Sequence, residues 1–481
     1  MSTVPETTAA RPSPALAIFG ASVLGLFLEL ALIRWVSSEL RVFAYCKNLV
    51  LVASFLGFGS GCFLARRRVD VPRALLFLLL LALLIRLPSP LLRTFGPQRV
   101  TSVLAELPGF MIFRHSEVKL TWGLFGNLAF AVGWTALVFF VIALVMVPFG
   151  QLTASGMARL GRPLRGYSLN VAGSLAGILL YTAISAVHLP PVTWFVPVAV
   201  ALALFARPRR ALQFALGLTV GLLLVFMPED TPQEPEIWSS YHKLKLMRQE
   251  LIQVNNIGYQ AMMRMARLPG SDPLPLDKID RFNLPYALQR PAGRVLVVGA
   301  GSGNDVATAI KADATSVTAV EIDPVIYGIG LALHPQYPYG DSRVRVVIDD
   351  ARHFLRTSAD EFDVIVFSHL DSHTVLSSYT NVQLDNYIYT VEAFREARAR
   401  LAPGGLLYVS FWVERPFVGQ RLFRNLTEVF GHAPVALESD TTLGRRDKVW
   451  HSVHFLTGRP EVVRRWDAAA YGWQPRLQRL S

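Results

Sequence analysis

The chain has 481 residues, 52% of them hydrophobic and only 17% charged, and a mean hydropathy of +0.37. It is too apolar for a wholly soluble protein and too long for one ordinary domain. The net charge of +12 would suit nucleic acid, but much of the arginine sits in short clusters between apolar runs. The positive-inside bias of membrane proteins accounts for it there, and nucleic acid is set aside as a partner.

Residues 1–14 form a polar, proline-containing tail. It does not read as a signal peptide, because the apolar run that follows is long enough to span. Residues 15–227 then read as a multi-pass α-helical membrane domain with the bilayer as its partner. A span needs about 20 mostly apolar residues, and about seven candidates fall at 15–36, 44–65, 73–92, 121–149, 167–188, 191–206 and 211–227. Pro88 and Pro90 interrupt the third, and the sixth is short. Cys46 and Cys62, in or beside the second run, support neither a disulfide framework nor a metal site. Glu29, Arg34, Lys47 and Asn48 are polar residues within or at the edge of spans, where charge is expensive. Gly173 and Gly177 have the spacing that lets two helices approach closely.

Orientation pulls two ways. Arg66 to Arg68, then Arg159, Arg162 and Arg165, then Arg207, Arg209 and Arg210 all fall on one side of seven helices. The charge rule makes that side cytoplasmic and puts the C-terminal domain outside. The nucleotide expected below is made in the cytosol, and that argument is preferred. The expectation is an inner (plasma) membrane protein with a cytoplasmic C-terminal domain.

Residues 228–237 are a proline-rich linker. Residues 238–290 carry the alternation of a small antiparallel sheet, over Tyr241 to Leu246, Glu250 to Val254 and Tyr259 to Met265, with Asn255-Asn256 as a turn. From 291 to 460 strands alternate with helices, which predicts a Rossmann-like α/β domain. Strands are expected at 294–298, 317–320, 344–348, 362–367 and 406–411. A closing hairpin is expected from 435–437 and 452–456, with a C-terminal tail at 461–481.

The first strand runs into Gly299-Ala300-Gly301-Ser302-Gly303, which opens a helix at about Asp305. Glycine there permits unusual dihedrals and a close approach to a nucleotide. Glu321 ends the second strand, where a carboxylate can accept both ribose hydroxyls. Asp350, followed by Ala351, ends the third, from which a carboxylate can accept from an adenine amino group. All three face the crevice in which open α/β sheets bind ligands.

The order of these motifs resembles the spermidine synthase family, specifically its membrane-fused bacterial members, over roughly 238–457. The segments that carry it are Ser240-Tyr241-His242, Tyr259-Gln260, Val298 to Gly303, Val320 to Asp323, Asp350-Ala351, Asp363 to Val366, Tyr389 to Glu392 and Pro403 to Gly405. The resemblance implies a methyltransferase-type sheet, a decarboxylated S-adenosylmethionine donor, a polyamine acceptor and no metal. On the substrate side it implies Tyr241, Gln260, Tyr286, Ser368 and Tyr389.

The departures fall on the chemistry. Ser302 stands where the family has the Asp that steadies the aminopropyl ammonium. Ser368 stands where it has the first Asp of an Asp-Ser-Ser-Asp-Pro run, the base, while Asp371 matches the second Asp. Pro285-Tyr286-Ala287 replaces a Tyr-His-Glu segment. His369 and His373 flank Asp371. The adenosine half of the site is kept and the aminopropyl half is not. The expected function is therefore a membrane alkyl transferase with methyl transfer from S-adenosylmethionine ahead, Asp371 as base, and an amine or hydroxyl acceptor. Aminopropyl transfer is the alternative, and a transporter or sensor with a nucleotide-binding domain is a third reading. A homo-oligomer is compatible with all three.

Overall fold

The computed structural model describes residues 13–46, 48–86, 122–204, 209–227, 234–267, 281–289, 291–370, 387–412, 416–441, 450–460 and 463. The chain divides into two units at Glu229 and Asp230.

The first unit is helical: α1 (Pro14–Glu39), α2 (Arg41–Tyr45), α3 (Asn48–Phe63), α4 (Val71–Arg86), α5 (Trp122–Leu160), α6 (Pro163–Ala186), α7 (Val192–Ala203) and α8 (Arg209–Phe226). Three of these, α1, α5 and α6, are long and apolar enough to cross a membrane. The 12-residue α7 is about 18 Å long at 1.5 Å per residue, short of a span.

Small residues set the packing. A Cβ on Gly57 would lie 2.0 Å from the Ala143 carbonyl oxygen, and one on Gly61 would lie 2.1 Å from that of Val147. Backbone therefore touches backbone between α3 and α5, which run parallel. Gly173 and Gly177 of α6 meet the Phe19 and Val23 carbonyls of α1 at 2.6 and 2.5 Å in the same way. Gly156, late in α5, meets Pro14 and Ile18 at the start of α1, so these two are antiparallel. Glu39 reaches Arg86 at 3.9 Å, and the Phe226 ring packs on Trp35 at 4.9 Å. The C-terminal ends of α1, α4 and α8 thus share one end of the unit. Arg66 to Arg68, the α5–α6 junction and the start of α8 lie at the other.

The second unit opens with an antiparallel sheet, β1 (Glu236–Trp238), β2 (Lys243–Met247), β3 (Leu251–Val254) and β4 (Ile257–Ala261), in that order. Its last strand starts earlier and stops sooner than the alternation suggests. Asn255 and Asn256 both take positive φ, 49° and 63°, which closes a two-residue hairpin of the kind that matches strand twist. Leu244, Leu246, Ile252 and Val254 bury one face against Ile326 and Ile329 of helix α11 (Pro324–Leu333).

The main sheet follows the alternation: α9 (Leu284–Leu288), β5 (Arg294–Val298), α10 (Asn304–Lys311), β6 (Ser316–Glu321), α11, β7 (Val344–Ile348), α12 (Ala351–Thr357), β8 (Phe362–Ser368), α13 (Val391–Ala399), β9 (Leu401–Trp412), α14 (Pro416–Phe430), β10 (Val435–Thr441) and β11 (Trp450–Gly458). Its order is β10-β11-β9-β8-β5-β6-β7. β5 to β9 are mutually parallel and β11 is antiparallel between β9 and β10. This is the methyltransferase-type Rossmann sheet, closed by the expected hairpin. Its strands are apolar on both faces: Leu296, Val298, Ile365 and Phe367 pack on one side, Val295, Val297, Val364 and Val366 on the other. A parallel sheet covered on both faces requires that.

The glycine contacts generate a prediction. Gly57→Val should destabilise the helical unit by about 1–3 kcal/mol or more, the scale of overpacking. Gly59→Ala, where nothing lies within 4 Å, should be neutral or stabilising. Thermal unfolding of the detergent-solubilised chain measures both, and equal effects would contradict the packing described.

Candidate functional site

The chain reverses its direction of travel across the sheet at the carboxyl ends of β5 and β8, the place where open α/β sheets form their ligand crevice. The glycine turn between β5 and α10 is possible because Gly299, Gly301 and Gly303 take φ of 66°, 57° and 105°, values that L side chains resist. The Gly301 N–H donates to Glu321 Oε2 at 2.8 Å, and the Asp323 N–H donates to Oε1 at 2.9 Å. The Tyr339 hydroxyl donates to the Gly301 carbonyl at 2.6 Å. The turn is therefore held from both sides.

Glu321 is 6% exposed. Burial pushes its carboxyl from the ordinary 4.5 up to about 7, against the pull of the Asp323 and Gly301 N–H groups. Each oxygen retains a second lone pair for a ribose hydroxyl, so the group fits the role expected of it. Asp350 caps α12, its Oδ1 accepting from the His353 N–H at 2.9 Å, and Ala351 is the first residue of that helix. Asp349 Oδ2 lies 2.5 Å from His353 Nδ1.

The small sheet leans over this crevice. Ser239 donates to Asp323 Oδ2 at 2.5 Å, which anchors the β1–β2 turn carrying Tyr241. The Tyr241 phenol is pushed above its usual range by partial burial and then by Asp323, Asp350, Asp349 and Glu321. Gln260 accepts from the Ser302 N–H at 2.9 Å, and its amide occupies the space beside Gly301 that a Cβ would need. Ser302 itself is fully buried, and its hydroxyl has no hydrogen-bond partner among the described residues.

Ser368 ends β8 opposite Ser410 of β9. Two residues on, Leu370 lies against Gly299, and its N–H donates to the Tyr389 hydroxyl at 3.1 Å. Asp371, with Ser372 and His373, lies outside the described residues. Tyr286, expected on the substrate side from its place in the Pro-Tyr-Ala segment, is 1% exposed and packs beside Ala292 and Val295. Among the described residues no group of three or more His, Cys, Asp or Glu is arranged to hold a metal ion.

One cluster was not legible as such. His369 Nδ1 lies 3.0 Å from Ser410 Oγ, and its Nε2 lies 3.3 Å from Ser452 Oγ. Ser410 Oγ is also 3.0 Å from His454 Nδ1, which is 2.9 Å from the Tyr408 hydroxyl. His454 is fully buried; burial, helped by the Arg281 cation, pushes its pKa down to about 3.

Against this geometry, the family model for the spermine/spermidine synthase domain matches residues 282–437. The C-terminal unit belongs to the spermine/spermidine synthase family. Similar proteins include the polyamine aminopropyltransferases of Pseudomonas syringae pv. tomato, 32% identical over 93 residues, 18% of this chain and 32% of that protein. Those of Korarchaeum cryptofilum (25% identical, 31% and 45% covered) and Agathobacter rectalis (23% identical, 38% and 65% covered) are similar as well. The chain thus spans between a third and just under two thirds of the length of these relatives. Among solved structures, spermidine synthase from Thermotoga maritima is 16% identical with a TM-score of 0.34, covering 53% of this chain and 86% of its own. A spermidine synthase in complex with the transition-state analogue AdoDATO is also 16% identical, with a TM-score of 0.33, covering 52% and 78%.

Glu321 sets a pH dependence. Its folded pKa of about 7 lies above the ordinary 4.5, so its protonated form suits the fold and its ionised form suits a ribose. The fold loses stability as pH rises from 4.5 through 7. With Glu321 as the ribose acceptor, nucleoside affinity should move the opposite way, weakening as pH falls below 7. Calorimetric titration with an S-adenosyl thioether at several pH values should show this. Glu321→Gln should bind about 1.5–3 kcal/mol more weakly at high pH and lose the pH dependence; a variant that keeps it would remove Glu321 from the ribose.

Proposed function

We propose that the C-terminal unit binds an S-adenosyl donor and transfers its aminopropyl group to an amine acceptor, and that the helical unit is embedded in a bilayer. The observation that carries the donor is the strand-end carboxyl of Glu321, tied to the glycine turn by the Gly301 N–H at 2.8 Å and to the next turn by the Asp323 N–H. Asp323, Asp349 and Asp350 add carboxyl groups at the ends of β6 and β7, and a cationic sulfonium suits such surroundings. The choice of group rests on the family match and on relatives named as polyamine aminopropyltransferases, and it favours aminopropyl over the methyl transfer that the loop residues alone suggest.

In this reading the acceptor nitrogen lone pair attacks the donor carbon attached to sulfur. The C–S bond breaks with its electrons on sulfur, leaving a neutral thioether, and the new ammonium gives up a proton. Glu321 holds the ribose and Asp350 the adenine. Gly299, Gly301, Gly303 and Ala351 line the donor, Tyr241, Gln260, Ser368 and Tyr389 the reactive end, and Asp371 takes the proton. The chain's task is positioning and proton removal. Methyl transfer is the second reading, favoured by Ser302 and Ser368, which leave a donor ammonium without the family's carboxylates.

The helical unit exposes large apolar side chains, among them Phe55 at 60% and Leu179 at 61%, as a lipid-facing surface does. The donor is a cytosolic metabolite, so the C-terminal unit is placed on the cytoplasmic side and the arginine clusters on the other, against the usual bias.

With decarboxylated S-adenosylmethionine and a diamine, the purified chain should yield the aminopropylated amine and methylthioadenosine by mass spectrometry. Methylated product from ordinary S-adenosylmethionine alone would replace this reading with the second. Ser368→Asp should raise kcat/KM for the decarboxylated donor about tenfold, roughly 1.4 kcal/mol. The orientation is checked in a Cys46→Ala, Cys62→Ala background. Ala359→Cys should resist a membrane-impermeant thiol reagent in intact cells and react after lysis; labelling in intact cells would put the domain outside.

A further inference from the structure

His369 follows the residue aligned with the family's base, yet its ring points back into the sheet rather than along the chain. Its φ of 46° is left-handed, a conformation that surrounding contacts must hold for a residue with a side chain. Three contacts do so: its N–H donates to the Ser410 carbonyl at 3.1 Å, and its two ring nitrogens meet Ser410 Oγ and Ser452 Oγ.

The proton positions follow from counting donors. The Tyr408 hydroxyl donates to the Arg281 carbonyl at 2.8 Å, which uses its one proton. Toward His454 Nδ1 its oxygen can then only accept, so His454 carries its proton on Nδ1, directed between Tyr408 and Ser410. Burial keeps that ring neutral. Ser410 Oγ accepts from His454, so its own proton goes to His369 Nδ1. His369 is left with its proton on Nε2, donated to Ser452 Oγ. A second proton on His369 Nδ1 would face the Ser410 proton, and Ser410 would have to turn toward an Nδ1 that is already protonated.

We propose that His369 is a positioning residue for the transfer reaction. The buried chain Tyr408–His454–Ser410 holds it as the neutral Nε2–H tautomer, and the held ring fixes the backbone that presents Ser368 and seats Leu370 on Gly299. Around the ring, among the described residues, the titratable groups include His454 and Tyr408, with Arg281 beyond them, and Tyr389 at the Leu370 N–H. The device replaces a rigid carboxylate-bearing run with a histidine braced from two neighbouring strands. It rests on the function proposed above; the tautomer does not.

Two readouts separate the claims. The first is a long-range ¹⁵N–¹H spectrum of the full chain in nanodiscs with labelled histidine, His369 being identified by its loss in His369→Gln. It should show an Nε2-protonated ring that does not titrate between about pH 6 and 8, where a free histidine would. A ring protonated on Nδ1, or one that titrates normally, overturns the proposal whatever the activity. The second is kinetic. Ser410→Ala should lower kcat on the order of tenfold, the cost of slight misplacement at a reacting centre, with donor affinity unchanged, and Ser410→Thr should restore it. Full kcat in Ser410→Ala, or a loss that Thr does not rescue, also overturns it. A wild-type chain that transfers neither group removes the proposed function and leaves the spectrum to decide the tautomer.

Discussion

The Glu321 carboxylate is the constraint on which the C-terminal unit turns. Its two oxygens take the Gly301 and Asp323 N–H groups, so one side chain ties the first strand-to-helix turn to the second. Removing it would loosen the turn and the motif that anchors Ser239 together. The carboxylate is also the group that a ribose would need, so the structural role and the proposed binding role share the same atoms. Keeping it buried has a cost, expressed in the raised pKa. A group held at such a cost at the mouth of a crevice is characteristic of sites that bind or react.

The reactive end of the crevice is built differently. Where the family places carboxylates, this chain has a buried serine at 302 and a serine at 368, and close by Leu370 rests on Gly299. These residues make that end less polar than the adenosine end. The bracing comes from within the sheet, through Ser410, His454 and Tyr408, and the antiparallel insertion of β11 between β9 and β10 brings them together. The methyltransferase-type strand order thus supplies both the proposed donor crevice and the brace behind the proposed acceptor end.

What the sequence shows depends on how local the determinant is. The parallel strands were legible because burial on both faces demands continuous runs such as Val295 to Val298. Gly299, Gly301, Gly303 and Glu321 were legible because their spacing encodes a turn and a strand end. Asn255-Asn256 marked a turn, but its φ values pull Ile257 and Gly258 into the strand, which alternation alone did not show. The burial of Tyr286 was not legible, because a core tyrosine and an exposed one have the same letter. The contacts of Gly57 and Gly61 are not legible beside the similar spacing of Gly173 and Gly177, since only three-dimensional packing says which small residues meet backbone. The His369 brace joins positions 369, 408, 410, 452 and 454, and no local pattern links them.

The account stands or falls on the crevice binding the nucleoside thioether left by transfer. Calorimetry of the full-length chain in detergent, titrated with methylthioadenosine and separately with S-adenosylhomocysteine, tests that directly. The account predicts one site per chain, with methylthioadenosine bound at least as tightly. No heat from either ligand would contradict nucleoside binding altogether, and tight binding of S-adenosylhomocysteine alone would contradict aminopropyl transfer.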